Sequence, residues 1–147
     1  MVQSENMNGL ATIENDIVEE FTLFDDWEQK YEYIIELGQK LPELNQVYKK
    51  DEYKIKGCQS SVWLNSYEEN GRIFYEADSD STFVKGEIAM LIRVLSGQKA
   101  EDIVNAELGF IDRIGLRQHL AMTRANGLAA MIKQMKLYAL AFHAQKS

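Results

Sequence analysis

A single cysteine, Cys58, is the whole thiol inventory of this 147-residue chain. An internal disulfide is therefore excluded. So is a zinc or iron–sulfur centre built on cysteines, which needs several thiolates. Proline is equally scarce, with Pro42 alone punctuating the chain, and no linker, repeat or low-complexity tract occurs. No stretch approaches the ~20 apolar residues that span a bilayer, so no membrane partner is expected. Met1 to Asn15 is polar and acidic and has neither the basic nor the apolar segment of a secretory signal. A cytoplasmic location is the expectation. Basic residues are in deficit, and the net charge is −7. Nucleic-acid binding needs a basic footprint, which this balance does not supply. Neither a metal nor a cofactor is expected.

What is present suits one globular domain over 1–147, with about 1–11 expected to be flexible. The apolar share is 46% and the charged share 27%, enough to build and solvate one core. The charge is uneven. Residues 14–36 hold nine acidic residues against one lysine. After Asp112 there is no acidic residue, while Arg113, Arg117, Arg124, Lys133, Lys136 and Lys146 are basic. Two solvated helix faces would give this pattern, and so would electrostatic steering of a protein partner.

The periodicities predict the elements. Ile13, Ile17, Phe21 and Phe24 recur at helical spacing behind Thr12, predicting a helix over 12–24. Asp25 or Asp26 can cap a second helix, with Glu28 or Gln29 completing a capping box and Trp27, Tyr31, Ile34 and Ile35 as its apolar stripe. Gly38 and Pro42 are expected to stop it. Tyr53 to Lys56, Ser61 to Tyr67 and Arg72 to Ala77 read as strands. Asn70-Gly71 between the last two is a strong hairpin signal, because both central residues of a type I′ turn need positive φ. A helix over 82–96 opens on Ser79, Asp80 or Ser81, buries Val84, Ile88, Leu91, Ile92 and Leu95, and stops at Gly97. Short helical pieces follow over 100–118. A long helix over 124–144 carries Leu128, Met131, Ile132, Met135, Tyr138, Ala139 and Phe142 on one face. The sum is an α+β fold: a small three-stranded antiparallel sheet with helices packed on one face.

Cys58 lies between the first two expected strands, in Lys54-Ile55-Lys56-Gly57-Cys58-Gln59-Ser60-Ser61-Val62-Trp63. A lone cysteine is commonly an inert small hydrophobe. Here Gly57 permits a sharp turn that would present the sulfur, and Lys54 and Lys56 are placed to favour the thiolate, the reactive form. Alternatively, both lysines simply alternate onto a solvated strand face. Trp63 is a candidate shelter for the sulfur. Asp78 and Asp80 read as helix-capping groups, and Arg124 and His119 as surface or packed residues.

The string Gly57-Cys58-Gln59-Ser60-Ser61-Val62-Trp63 resembles the cysteine loop of the SufE family. Two further blocks agree: Ala77-Asp78-Ser79-Asp80 followed by Val84-Lys85-Gly86, and Gln118-His119-Leu120 followed by Arg124 and Asn126-Gly127-Leu128. Together they cover the chain from about residue 12 to its end. The resemblance implies a SufE/IscU-like α+β fold. It implies that Cys58 accepts sulfur as a persulfide from a cysteine desulfurase (SufS-like), that the chain stimulates that enzyme, and that the sulfur moves on to an iron–sulfur scaffold complex (SufBCD-like). Gly57 and Gln59 flank the acceptor, and Asp80 and Arg124 match positions associated with the loop and the desulfurase contact. The pattern is departed from at Ser81, where alanine is frequent, at Glu87, where an apolar residue is frequent, and at Ala121-Met122, which replaces a segment that often contains proline.

Two other classes remain open on the sequence. A thiol hydrolase would pair Cys58 with His119, which requires the two within hydrogen-bond reach. A pure interaction module would activate a desulfurase with a structural Cys58. An iron–sulfur scaffold fails on ligand count.

Overall fold

The computed structural model describes residues 2–146. Its sheet grows from the expected hairpin. Asn70 and Gly71 take φ of 53° and 81°, the left-handed pair that a type I′ turn demands. They join β1 (Val62–Glu69) to β2 (Arg72–Ser79), paired antiparallel from Glu69↔Arg72 to Val62↔Ser79. The two-residue period of a strand turns Val62, Leu64, Ile73, Tyr75 and Ala77 into the core.

The third strand lies elsewhere than predicted. Tyr53 to Lys56 is not a strand: a 3-10 turn occupies Asp51–Tyr53, and a single bridge joins Lys54 to Trp63. The turn at Gly57 pulls the chain off the sheet edge before a second pair can form. Instead β3 (Gln98–Lys99) pairs with the other edge of β2. Gly97, at φ 86°, makes this turn after the preceding helix, and its N–H donates to the Ile73 carbonyl at 2.7 Å. Order β1-β2-β3 results, in the α+β architecture the periodicities predict.

The helix α3 (Thr82–Leu95) is the central element, with Phe83, Ile88, Leu91, Val94 and Leu95 buried. Ser81 caps it by accepting from the Val84 N–H at 3.3 Å. Neither Asp78 nor Asp80 does so, contrary to expectation, because both carboxylates are engaged elsewhere. One side of α3 packs on β2, and the other crosses α2 (Trp27–Gln39). At that crossing the two backbones touch. A Cβ on Gly86 would lie 2.0 Å from the Ile34 carbonyl oxygen, and one on Gly38 would lie 2.6 Å from the Gly86 nitrogen. Gly38 is therefore not a stop signal. It sits inside α2, buried, and the helix runs on to Gln39. At the other end of α2, Asp26 accepts from Gln29 N–H at 2.9 Å, and the Gln29 side chain accepts from Asp25 N–H at 3.0 Å, a shifted version of the expected capping box.

The first helix, α1 (Val2–Phe21), starts earlier and ends sooner than predicted. It is broken at Gly9, with φ 46° and ψ −144°, and Thr12 is interior rather than a cap. The stretch expected to be flexible falls largely on residues 1–8, whose side chains lie outside those described. Glu20 ties α1 down: it accepts from Arg93 on α3 at 2.9 and 2.5 Å and from the Tyr33 hydroxyl of α2 at 2.5 Å. After β3 come α4 (Ala100–Asn105), α5 (Phe110–Arg113) and a 3-10 turn at Arg117–His119. The last helix, α6 (Met122–Lys146), buries Leu128, Met131, Met135 and Ala139. Tyr75 donates its hydroxyl to the Met135 carbonyl at 2.6 Å and so pins α6 to β2.

Gly86→Ala is expected to lower unfolding free energy by about 3 kcal/mol, because two backbones must part to admit one methyl group. Gly109→Ala, whose Cβ meets nothing within 4 Å, should stay within about 0.5 kcal/mol of the parent. Chemical denaturation of both variants measures the contrast; a Gly86→Ala protein as stable as the parent would show that α2 and α3 separate at no cost.

Candidate functional site

The cysteine loop is a pinned excursion from the sheet. At its base the Ile55 N–H donates to the Val62 carbonyl at 2.8 Å. Ser61, at its far end, is held three ways: its N–H donates to the Asp80 carboxylate at 3.1 Å, and its carbonyl accepts from the Asp80 N–H at 3.2 Å and from the Ser79 hydroxyl at 2.8 Å. Gly57 takes φ 93°, where only glycine sits freely, and a Cβ there would come within 3.3 Å of the Ala130 Cβ. The turn it makes lays half-buried Cys58 against the start of α6, where the thiol donates to the Gly127 carbonyl with Sγ at 3.5 Å. Gly127 is in van der Waals range of the thiol: a Cβ there would lie 3.8 Å from Sγ.

Beside the sulfur is a cavity of about 130 Å³. Cys58 and Gln59 line it from the loop, Val84 and Glu87 from α3, and Arg124 and Met131 from α6. Glu87 is only 1% exposed, and its Oε2 has no hydrogen-bond partner among the described residues. Burial pushes its carboxyl up to about 8, against the opposing pull of Arg124. The Cys58 thiol is also pushed up, first by burial and then by the Glu87 charge. The expected thiolate-favouring lysines are not there to counter this. Lys54 reaches Asp51 at 3.5 Å and lies 6.0 Å from the Trp63 ring centre, and neither Lys54 nor exposed Lys56 lines the cavity. Both lysines face solvent, but from the irregular stretch before Gly57 and not from a strand.

Arg124 lines the same cavity as Cys58. Its guanidinium donates to the Tyr31 hydroxyl and stands 4.7 Å from the centre of Phe83. Tyr31 and Phe83 stack at 4.2 Å, so α2 and α3 together support the arginine. Asp80 acts at the loop's base and does not line the cavity. Asp78 pairs with Lys49 at 2.8 Å and Lys85 at 3.2 Å. Burial alone would raise its pKa, but hydrogen bonds from Lys49, Ser79 N–H and Lys85 outweigh that and hold it low. Gln59 is exposed at the cavity rim. One expectation fails: Trp63 does not line the cavity, whose apolar wall is Val84 and Met131. His119 is a packed residue away from the cavity, the reading preferred to a pairing with Cys58. The His119 ring stacks on Trp27 at 4.2 Å, with Nδ1 at 2.9 Å from the Gly115 carbonyl oxygen. Among the described residues no histidine lines the cavity, and no group of three or more potential ligands stands ready for a metal. No helix is long and apolar enough to cross a membrane.

Glu87, which the sequence reading treats only as a departure from the family pattern that does not touch the cysteine, lines the cavity beside Cys58. A signal existed. It lies three residues after Val84 and four before Leu91, on the apolar stripe of α3, where a carboxylate has no place unless it serves the site.

The sequence of residues 15–139 matches the family model of SufE, an Fe-S metabolism associated domain. An uncharacterized SufE-like protein of Rhizobium meliloti is 38% identical over 125 residues, which cover 82% of this chain and 89% of that protein. One from Rhizobium etli is also 38% identical over 125 residues, covering 82% of this chain and 84% of its own. The solution structure of a hypothetical protein from Thermus thermophilus superposes with a TM-score of 0.73 over 92% of this chain and 97% of that one. At 19% identity that likeness concerns the fold.

The raised Glu87 carboxyl has a consequence for stability. The folded state keeps a proton that the unfolded chain loses near its ordinary value of 4.5. Folding therefore binds the proton more tightly, and Glu87 destabilises the fold increasingly as pH climbs from there to about 8. Glu87→Gln should thus gain on the parent as pH rises, by up to about 1.4 kcal/mol per pH unit in that window. Urea melts at pH 5 and pH 8 measure the gap; an identical gap at both would mean that the buried carboxyl is not holding its proton.

Proposed function

The chain belongs to the SufE family, and on that premise we propose that Cys58 accepts sulfane sulfur from the persulfide of a cysteine desulfurase. Its place in Fe–S metabolism follows from the family. The observation that carries the finer reading is the pairing of one thiol with one small cavity: the Cys58 sulfur faces a space of about 130 Å³, walled by Val84 and Met131, with room for the added sulfur out of bulk water.

The chemistry needs little else. The Cys58 thiolate attacks the outer sulfur of the donor persulfide. A new S–S bond forms on Cys58, the donor S–S bond breaks, and the electron pair leaves with the donor thiolate. The chain holds no second thiol to attack the product and release sulfide. At rest the thiol is largely protonated, because burial opposes its charge. Stray electrophiles then meet a poor nucleophile, and docking of the donor is the event that frees the sulfur. Exposed Gln59 and Arg124 stand at the rim, where a SufS-like desulfurase would approach, and stimulation of that enzyme follows from withdrawing its product sulfur. Delivery to a SufBCD-like scaffold completes the proposed route. The hydrolase alternative loses its base, since His119 is occupied by Trp27 and Gly115.

Incubation with a cysteine desulfurase and cysteine, without reductant, should add the mass of one sulfur to the intact protein, and Cys58→Ser should add none. If a desulfurase shown to carry its own persulfide is stimulated while no mass is gained, the chain is an interaction module and Cys58 is structural.

A further inference from the structure

Burying a carboxyl without a partner is costly, and nothing in the packing of α3 requires one at position 87. Val84, Ile88 and Leu91 surround it on the helix, and a leucine would fill the same place. Yet Glu87 is 1% exposed, its Oε2 lacks any partner among the described residues, and it lines the same cavity as the Cys58 sulfur. A neutral carboxylic acid has an O–H to donate, and here it borders the cavity in which the transferred sulfur would sit.

We infer that Glu87, as a neutral acid, donates its O–H to the terminal sulfur of the Cys58 persulfide and holds that sulfur inside the cavity. This rests on Cys58 being the sulfur acceptor. Burial keeps the acid protonated up to about pH 8. The charged and titratable groups around it are few. Arg124 faces it from α6 and Cys58 from the loop. Tyr31 of α2 spends its hydroxyl on Arg124. Asp78 and Asp80, at the end of β2, turn to Lys49, Lys85 and Ser61.

The proton balance is simple. Once Cys58 and Glu87 have lost one proton between them, the remaining one can sit on the carboxyl, leaving a thiolate. That thiolate attacks the outer sulfur of the protonated donor persulfide, and the donor leaves as a thiolate. The new persulfide is the stronger acid and passes its proton to the departing thiolate. Cys58 is left with an anionic terminal sulfur beside a Glu87 that still carries its O–H. An anionic sulfur raises the Glu87 carboxyl beyond what burial alone does, and at still higher pH Glu87 ionises. The donor becomes a like charge and the hold is lost.

Glu87 is thus a positioning residue, and its test uses the sulfur-loaded protein. The parent, Glu87→Gln and Glu87→Leu are loaded with a desulfurase and cysteine, freed of small molecules, and challenged with glutathione at pH 7 and pH 9. At pH 7 the persulfide of the parent should outlast that of Glu87→Leu about ten-fold, the worth of one hydrogen bond to a charged group. Glu87→Gln, whose amide still donates, should keep most of that protection at both pH values, while the parent should keep less of it at pH 9 than at pH 7. Equal lifetimes for the parent and Glu87→Leu at pH 7 would overturn the inference. Iodoacetamide alkylation of the unloaded thiol separates this from failure of the acceptor reading. Removing the ionisable neighbour should move the alkylation midpoint of Glu87→Gln about one pH unit below that of the parent. Coincident profiles count against Glu87 whether or not sulfur is taken up. A parent that takes up no sulfur overturns the acceptor role, and with it the persulfide contact.

Discussion

Gly86 has no room for a side chain, and most of the site's geometry follows from that. Its backbone touches α2 at Ile34 and Gly38, so α3 is fixed against α2 in depth and rotation. The helical turn of about 100° per residue then places the next side chain, Glu87, away from α2 and towards the cysteine loop. The same close approach lets Tyr31 of α2 stack on Phe83 of α3, and that stack is the platform on which Arg124 lies. Glu87 and Arg124 thus depend on one backbone contact that itself has no chemical role. Cys58 depends on β1 and β2, whose ends clamp Ser61 through Asp80 and Ser79.

The acidic front is partly absorbed by the fold. Glu20 binds Arg93 and Tyr33, and those hydrogen bonds hold its own carboxyl low, with the Arg93 bond the largest influence, while burial and the same contact lift the Tyr33 hydroxyl to about 12. Glu14 accepts from the Phe110 N–H at 3.0 Å. Asp16, Glu19, Asp25, Asp26, Glu28, Glu32 and Glu36 stay exposed. They form a field on the α1–α2 side that a basic partner would feel at long range, and salt would screen it. Arg124, on α6, belongs to the opposite end of the charge distribution, so the cavity sits near the border between the two.

The sequence made the helices, the hairpin and the loop cysteine legible because each rests on a local rule: a 3.6-residue stripe, a turn needing positive φ at Asn70 and Gly71, a glycine before Cys58. What it hid was set by distance along the chain. Gly38 looks like a helix stop until Gly86, far away in sequence, shows why the backbone must be bare there. Tyr53 to Lys56 looks like a strand until the turn at Gly57 denies it a register, and Gln98–Lys99 is too short to carry a strand pattern at all. Arg124 was attached to the site only through family resemblance, since no local feature links it to residue 58. The lysines beside Cys58 misled for the opposite reason: adjacency in sequence suggested a contact, but both side chains are exposed to solvent ahead of the Gly57 turn. Asp80 reads locally as a cap of the helix that follows it, and only the family resemblance ties it to the cysteine loop; its carboxylate reaches back across the sheet end to Ser61.

A sulfur carrier faces two opposed demands, and the proposed reading places them on one residue pair. To receive sulfur, the thiol must ionise. To keep it, the reactive sulfur must be withdrawn from water. Burial serves the second demand and works against the first, which is the direction of the Cys58 shift. Arg124 is a cation of the cavity wall, but it lies on the Tyr31–Phe83 stack, and the Cys58 thiol is still pushed up by burial and by the Glu87 charge. A buried acid acts conditionally. Ionised, Glu87 discourages a thiolate; neutral, it has an O–H to offer to one. Its protonation and that of Cys58 are therefore linked, because each is disfavoured in its charged form by the other's charge as well as by the common burial. The pair would hold one proton more readily than none. That lets the sulfur become anionic when its neighbour carries the proton.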